Sequence, residues 1–189
     1  MRLILASASP RRAELLASAG FDFDVVPAEV DETAHAGEQP DRYALRVARA
    51  KAERAAGDRR TSGRIVLAAD TVVVAGHRMM GKPASESDAA SMLRQLSGAV
   101  HEVLTAVVLR LGARELEQVA TTRVHVAPLT EGEILWYVGT GEPYGKAGAY
   151  AIQGRAARFI ERIEGSWSNV VGLPLSSVHR LVAQLGDGD

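Results

Sequence analysis

Two long runs of strand-forming residues, Val100 to Leu111 and Leu116 to Val126, are separated by a short turn that contains Gly112, Ala113 and Arg114. So short a connection joins antiparallel neighbours, and the spacing predicts a hairpin that forms the backbone of a sheet. Ahead of it, Leu3 to Ala6 reads as a short buried strand. Turn residues Ser7, Ser9 and Pro10 follow, and Ala13, Leu15, Leu16 and Ala19 then mark a helix ended by Gly20. Phe21 to Val26 alternates apolar and acidic residues as a half-exposed strand does, Pro27 to Pro40 is a polar loop, and Asp41 to Ala56 returns to helical spacing.

Ile65 to Val74 is rich in β-branched residues yet interrupted by Asp70 and Thr71, and Ser85 to Leu96 reads as a helix behind a serine cap. Beyond the hairpin, Thr130 followed three residues later by Glu133 is a capping-box pattern that predicts a helix to Val138. A glycine-rich loop precedes a strand over Arg158 to Ile163. Pro174 to Leu185 reads as a closing helix, with a frayed acidic tail from Gly186 to Asp189.

With 189 residues, 47% of them hydrophobic, the chain suits one α/β domain or two closely fused lobes, and residues 1–189 are read as a single domain. No apolar stretch is long enough to cross a bilayer and no signal-peptide core opens the sequence, so a soluble cytoplasmic protein is expected. The absence of cysteine excludes disulfides, thiolate metal sites and a cysteine nucleophile. A formal net charge of -1 gives no reason to expect a nucleic-acid or membrane partner.

Local charge carries the functional reading. In Ser7-Ala8-Ser9-Pro10-Arg11-Arg12, Ser9 is placed as N-cap and Pro10 as first helical residue, so free backbone donors point toward the loop. Arg11 and Arg12 occupy a first turn where the helix dipole penalises each cation by roughly 0.3–1 kcal/mol. A polyphosphate would reverse that preference; arginines turned to solvent are the plainer reading.

Asp70 stands in the apolar run Val66-Leu67-Ala68-Ala69 and Val72-Val73-Val74, where a charge is costly unless paired or bound to metal. It is expected where a strand gives way to a loop, the place at which open α/β sheets collect ligands. Thr71 adds a hydroxyl, and the loop acids Asp31 and Glu32 could join Asp70 around Mg²⁺, which takes only one or two protein carboxylates. A core aspartate bonded to backbone donors, beside a solvated acidic loop, is the alternative.

Only three of the 22 basic residues are lysine. Lys51 lies on a predicted helix, while Lys82 in Gly81-Lys82-Pro83 and Lys146 in Lys146-Ala147-Gly148-Ala149-Tyr150 occupy glycine-flanked loops suited to phosphate. Gln153, between Ile152 and Gly154, offers a donor and an acceptor to a base edge or to a turn backbone.

Taken together with Val30-Asp31-Glu32, Ala48-Arg49-Ala50-Lys51-Ala52, Ala68-Ala69-Asp70-Thr71-Val72-Val73, Ser97 to Val107 and Ser168-Asn169-Val170-Val171-Gly172-Leu173-Pro174, these motifs resemble the Maf nucleotide pyrophosphatases over nearly the whole chain. The resemblance implies an α/β fold akin to the inosine triphosphate pyrophosphatases, a long mixed sheet with flanking helices in two lobes around a central cleft. It implies hydrolysis of a nucleoside triphosphate to monophosphate and pyrophosphate with Mg²⁺ or Mn²⁺, and a homodimer. By position, Asp70 would be the catalytic base with Glu32 supporting the metal, or Asp70 would itself bind metal. Ser9, Arg11, Arg12, Lys51 and Lys82 would hold phosphates. Arg11, Thr71 and Ile152-Gln153-Gly154 are similar to the subgroup acting on dTTP and UTP, and modified pyrimidine triphosphates could enter as well. Gly145 departs from relatives that carry an acidic residue there. The competing expectations are a non-catalytic nucleotide- or partner-binding regulator of cell division and a purine-specific house-cleaning pyrophosphatase.

Overall fold

The computed structural model of the chain describes residues 2–186. In chain order its elements are β1 (Leu3–Leu5), α1 (Pro10–Ser18), β2 (Phe23–Val25), α2 (Pro40–Ala56), β3 (Val66–Ala75), β4 (Arg78–Met80), α3 (Glu86–Leu96), β5 (Val100–Leu111), β6 (Arg114–Val126), α4 (Glu131–Val138), β7 (Ile160–Glu164), α5 (Trp167–Val171) and α6 (Leu175–Gly186). The strands form one mixed sheet in the order β2-β1-β3-β5-β6-β7, with β4 paired to β3. Strand β1 runs parallel to β2 and β3, whereas β4 is antiparallel to β3 and β7 to β6. This is the long mixed sheet with flanking helices that the motifs implied.

The chain divides into two compact units. The first holds the described residues of Met1–Thr71, Thr105–Ala120 and Gly172–Asp189, and the second holds Val72–Leu104 and Thr121–Val171. Strands β3, β5 and β6 contribute residues to both.

In the first unit β1 is buried along its whole length, as an all-apolar strand between two parallel neighbours must be, with Ile4 opposite Val66 and Leu5 opposite Leu67. Helix α2 buries Ala44, Val47, Ala48, Lys51, Ala52 and Ala55, a stripe at helical spacing in which one member is a lysine. In the second unit Leu93 and Leu96 of α3, Ile134 and Tyr137 of α4, Val126 and Phe159 belong to one apolar core. The caps read from sequence hold: the Ser85 hydroxyl accepts the Asp88 N–H, and Thr130 and Glu133 form a reciprocal capping box.

Several expectations are corrected. Asp70 does not end a strand, because β3 continues unbroken from Val66 to Ala75; a partner for its charge, described below, removes the need to break the ladder. Ser9 is at the N-cap of α1 but its side chain makes no capping bond; the Ser7 hydroxyl instead accepts the Ser9 N–H at 3.2 Å. The strand expected over Arg158 to Ile163 is present as β7, but it starts later, at Ile160, because Arg158 and Phe159 close a 3-10 turn, Arg155–Phe159. Strand β2 is shorter than the alternating pattern suggested, and β4 and α5 carry too few residues for a periodic signal. The expected tail is helical at Gly186, and its last three residues lie outside the described ones.

One close approach in the second unit explains a glycine. Gly148 has φ +71°, and a Cβ added there would lie 3.0 Å from Val73 Cγ1. Gly148→Ala is therefore expected to lower stability by about 2–4 kcal/mol, combining the left-handed penalty with overpacking. Urea unfolding would check this; a variant within 0.5 kcal/mol of the parent, on the order of a neutral surface change, would show that the turn relaxes freely.

Candidate active site

The first unit is organised around a buried ion pair. Lys51 Nζ donates to Asp70 Oδ1 at 2.7 Å and lies 2.6 Å from Glu32 Oε1. Asp70 and Lys51 are only 7% and 8% exposed, whereas the Glu32 side chain is 43% exposed. One ammonium thus joins a carboxylate set inside a strand to a second at the surface. Helix α2 presents Lys51 from its buried stripe because that stripe packs on the sheet, and β3 presents Asp70 from the middle of its run. A long aliphatic stem lets the lysine cross apolar surface and keep its charge on the carboxylates.

Burial raises the Asp70 pKa above its ordinary value, while the Lys51 and Arg12 charges work against the rise. The result is a carboxylate more basic than a surface aspartate, aligned by a cation. Tyr43 completes the arrangement: its phenol donates to the Glu32 carbonyl at 2.9 Å, and burial, with the nearby Asp70 and Glu32 charges, pushes its pKa up to about 12. Tyr43 was not singled out from sequence, because a tyrosine on a helix carries no signal of what lies opposite.

Arg12 is directed inward. Its guanidinium donates to the Gly172 carbonyl at 2.9 Å, the Ala69 carbonyl at 2.7 Å, the Ser7 hydroxyl at 3.2 Å and the Thr71 hydroxyl at 3.0 Å. Burial lowers its pKa from the ordinary value, and the Asp70 charge opposes that fall. Placed in a helix first turn and buried, this cation is held by four oxygens, which offsets the dipole penalty expected from sequence. The Thr71 hydroxyl in turn pairs with Thr105 Oγ1 at 2.9 Å. Arg12 therefore joins α1, β3 and the Gly172 turn around Asp70 instead of standing free for a ligand. Arg11, half-exposed, and Ser9 remain at the start of α1.

Lys82, Lys146 and Gln153 belong to the second unit. There the Gly148 N–H donates to the Gly81 carbonyl at 3.1 Å, pinning the Lys82 and Lys146 loops to each other. Lys146 Nζ donates to the Glu142 carbonyl. Lys82 and Gln153 are exposed. The structure thus gathers Glu32, Lys51, Asp70, Arg12 and Thr71 in one unit and the loops of Lys82, Lys146 and Gln153 in the other. Asp31 is turned to its own loop, its carboxylate accepting the Thr33 N–H at 2.8 Å.

Among the described residues no three His, Asp or Glu side chains are grouped to hold a metal ion. Two carboxylates converging on one cation still fit a hard divalent ion, which needs one or two protein oxygens and keeps its remaining ligands from water and phosphate. No described helix is long and apolar enough to cross a membrane.

Sheet and charged centre together define a mixed α/β protein whose polar site is built on an inner strand, with a buried carboxylate held by a lysine. The chain belongs to the Maf-like protein family, whose description matches residues 2–185. A protein from Anaeromyxobacter dehalogenans named "dTTP/UTP pyrophosphatase" is 53% identical over 189 residues, covering 98% of this chain and 94% of its own. A Geobacter sulfurreducens protein of the same name is 50% identical over 187 residues, covering 98% and 97%. The solved structure of a HAM1 protein from Coxiella burnetii is similar over 97% of this chain and 99% of that one, with TM-score 0.51 and 13% identity; this likeness speaks to the fold alone.

Proposed function

We propose that the chain is a nucleoside triphosphate pyrophosphatase with preference for dTTP and UTP. The Asp70–Lys51–Glu32 arrangement is the observation that supports it most directly, and relatives about half identical that carry the dTTP/UTP name supply the substrate class. The reaction joins the oxygen of water to one phosphorus of the α–β bridge, releases the bridging oxygen with the other phosphate, and yields monophosphate and pyrophosphate.

Asp70 accepts the proton from the attacking water. Its burial makes it more basic than an exposed aspartate, and general-base catalysis is most effective as the pKa approaches the working pH. Lys51 aligns that carboxylate and neutralises phosphate charge, and Arg12 fixes the strand and turn around it. In the first unit Arg11 supplies further charge for phosphate and Ser9 a donor; in the second, Lys82 and Lys146 are ammonium groups of the kind that bind phosphate. A divalent ion, held by Glu32 and Asp70, would polarise the phosphoryl oxygens and lower the repulsion met by an incoming nucleophile. The amide of Gln153 reads the adjacent acceptor and N–H of a uracil or thymine edge.

Incubating the protein with Mg²⁺ and a panel of UTP, dTTP, CTP, GTP and ATP, then measuring pyrophosphate, tests the reading. UTP and dTTP are expected to lead, and Gln153→Ala is expected to raise their KM about tenfold while leaving GTP unchanged, roughly the effect of one lost polar contact. Preference for GTP would replace pyrimidine with purine chemistry. Release from none of the five would leave a binding protein.

A further inference from the structure

Beyond these assignments, the second unit contains a carboxylate that bonds both Tyr137 of α4 and the loop that carries Lys146 and Gln153. Glu142 Oε1 accepts the Tyr137 phenol at 2.8 Å and the Ala156 N–H at 3.4 Å, and Oε2 accepts the Arg155 N–H at 2.9 Å. Its main-chain carbonyl receives Lys146 Nζ. The Tyr137 phenol, 0% exposed, also accepts the Ala151 N–H at 3.3 Å. Backbone on both sides of Gln153 is therefore tied to one Glu–Tyr pair, while Gln153 itself is exposed at the turn.

We propose that Glu142 is the positioning residue that sets where Gln153 and Lys146 stand for substrate recognition. This rests on the reading that their loop recognises the base. The requirement for a carboxylate is chemical. Both oxygens face donors, so a glutamine of the same shape must turn its NH₂ against a backbone N–H or a phenol. Gly154 shows how close the carboxylate is held, since a Cβ there would lie 2.4 Å from Glu142 Oε1.

The test is Glu142→Gln, assayed with UTP and Mg²⁺ and examined by amide hydrogen exchange. The proposal expects protection at the Arg155 and Ala156 amides to fall at least tenfold. KM for UTP should rise about tenfold while kcat stays within about threefold, the size of change that follows from one unsatisfied polar group. Tyr137→Phe should move both readouts the same way by less, and carries the test if Glu142→Gln does not fold. Unchanged protection overturns the proposal. So does lost protection with an unchanged KM when Gln153→Ala still raises KM, because the loop would then read the base without Glu142. If Gln153→Ala also leaves KM unchanged, the base-reading assignment fails, and this inference with it.

Discussion

Asp70→Asn is expected to lower kcat for pyrophosphate release by roughly 10²–10⁴-fold, the usual worth of a positioned general base, while the protein stays folded. The substitution keeps shape and hydrogen-bonding reach but removes the group that takes a proton. Stability is expected to change little, because a neutral amide is cheaper to bury than a carboxylate and Lys51 keeps its 2.6 Å contact with Glu32. Steady-state pyrophosphate release with UTP, beside a thermal melt, separates the two effects. Turnover within a few-fold of the parent would remove Asp70 from the chemistry. Loss of both activity and melting transition would make it a structural residue.

Lys51→Met is expected to have the largest effect on stability, about 3–5 kcal/mol, because it strands a buried carboxylate whose partner is gone. The penalty should depend on pH, with a definite sign. Burial already holds the folded pKa of Asp70 above its ordinary 3.8, and Lys51 restrains that rise. Without Lys51 the folded pKa climbs further. A folded state that binds its proton more tightly than the unfolded chain loses stability as pH rises through the interval between the two values. Urea unfolding of Lys51→Met should therefore show a smaller deficit at pH 5 than at pH 8. The double variant Lys51→Met/Asp70→Asn should recover part of the deficit, since no charge is left stranded. A deficit equal at both pH values, and additive in the double variant, would mean that Lys51 stabilises the fold by packing alone.

The same pair shows how far a sequence can be read. Asp70 announced itself as a charge in an apolar run that had to be compensated. Its partner was less visible, although one signal existed: Lys51 takes a place in the stripe Ala44, Val47, Ala48, Ala52 and Ala55, where an unpaired lysine would be expelled. A polar residue inside a helical apolar stripe is a searchable pattern. For Arg12 no such signal exists. Its first-turn position marks it as unfavourable, but the carbonyl of Gly172 lies 160 residues away in sequence. Glu142 was equally hidden, because nothing in a loop glutamate tells which backbone amides will turn toward it.

Sequence alone determined the local features whose physics spans a few residues: the β5–β6 hairpin with its short turn, the caps at Ser85 and Thr130, and the helical stripe of α2. It also determined that an aspartate in an apolar run required compensation, by an ion pair, a metal ion or backbone donors. Tertiary structure decided that Lys51 supplies it, sent Arg12 inward, kept β3 continuous through Asp70 and closed Glu142 over its own loop. The division follows from range. Propensity and periodicity act between residues close along the chain, whereas a charge in an apolar interior is satisfied by whatever polar group packing brings within about 3 Å, however distant in sequence.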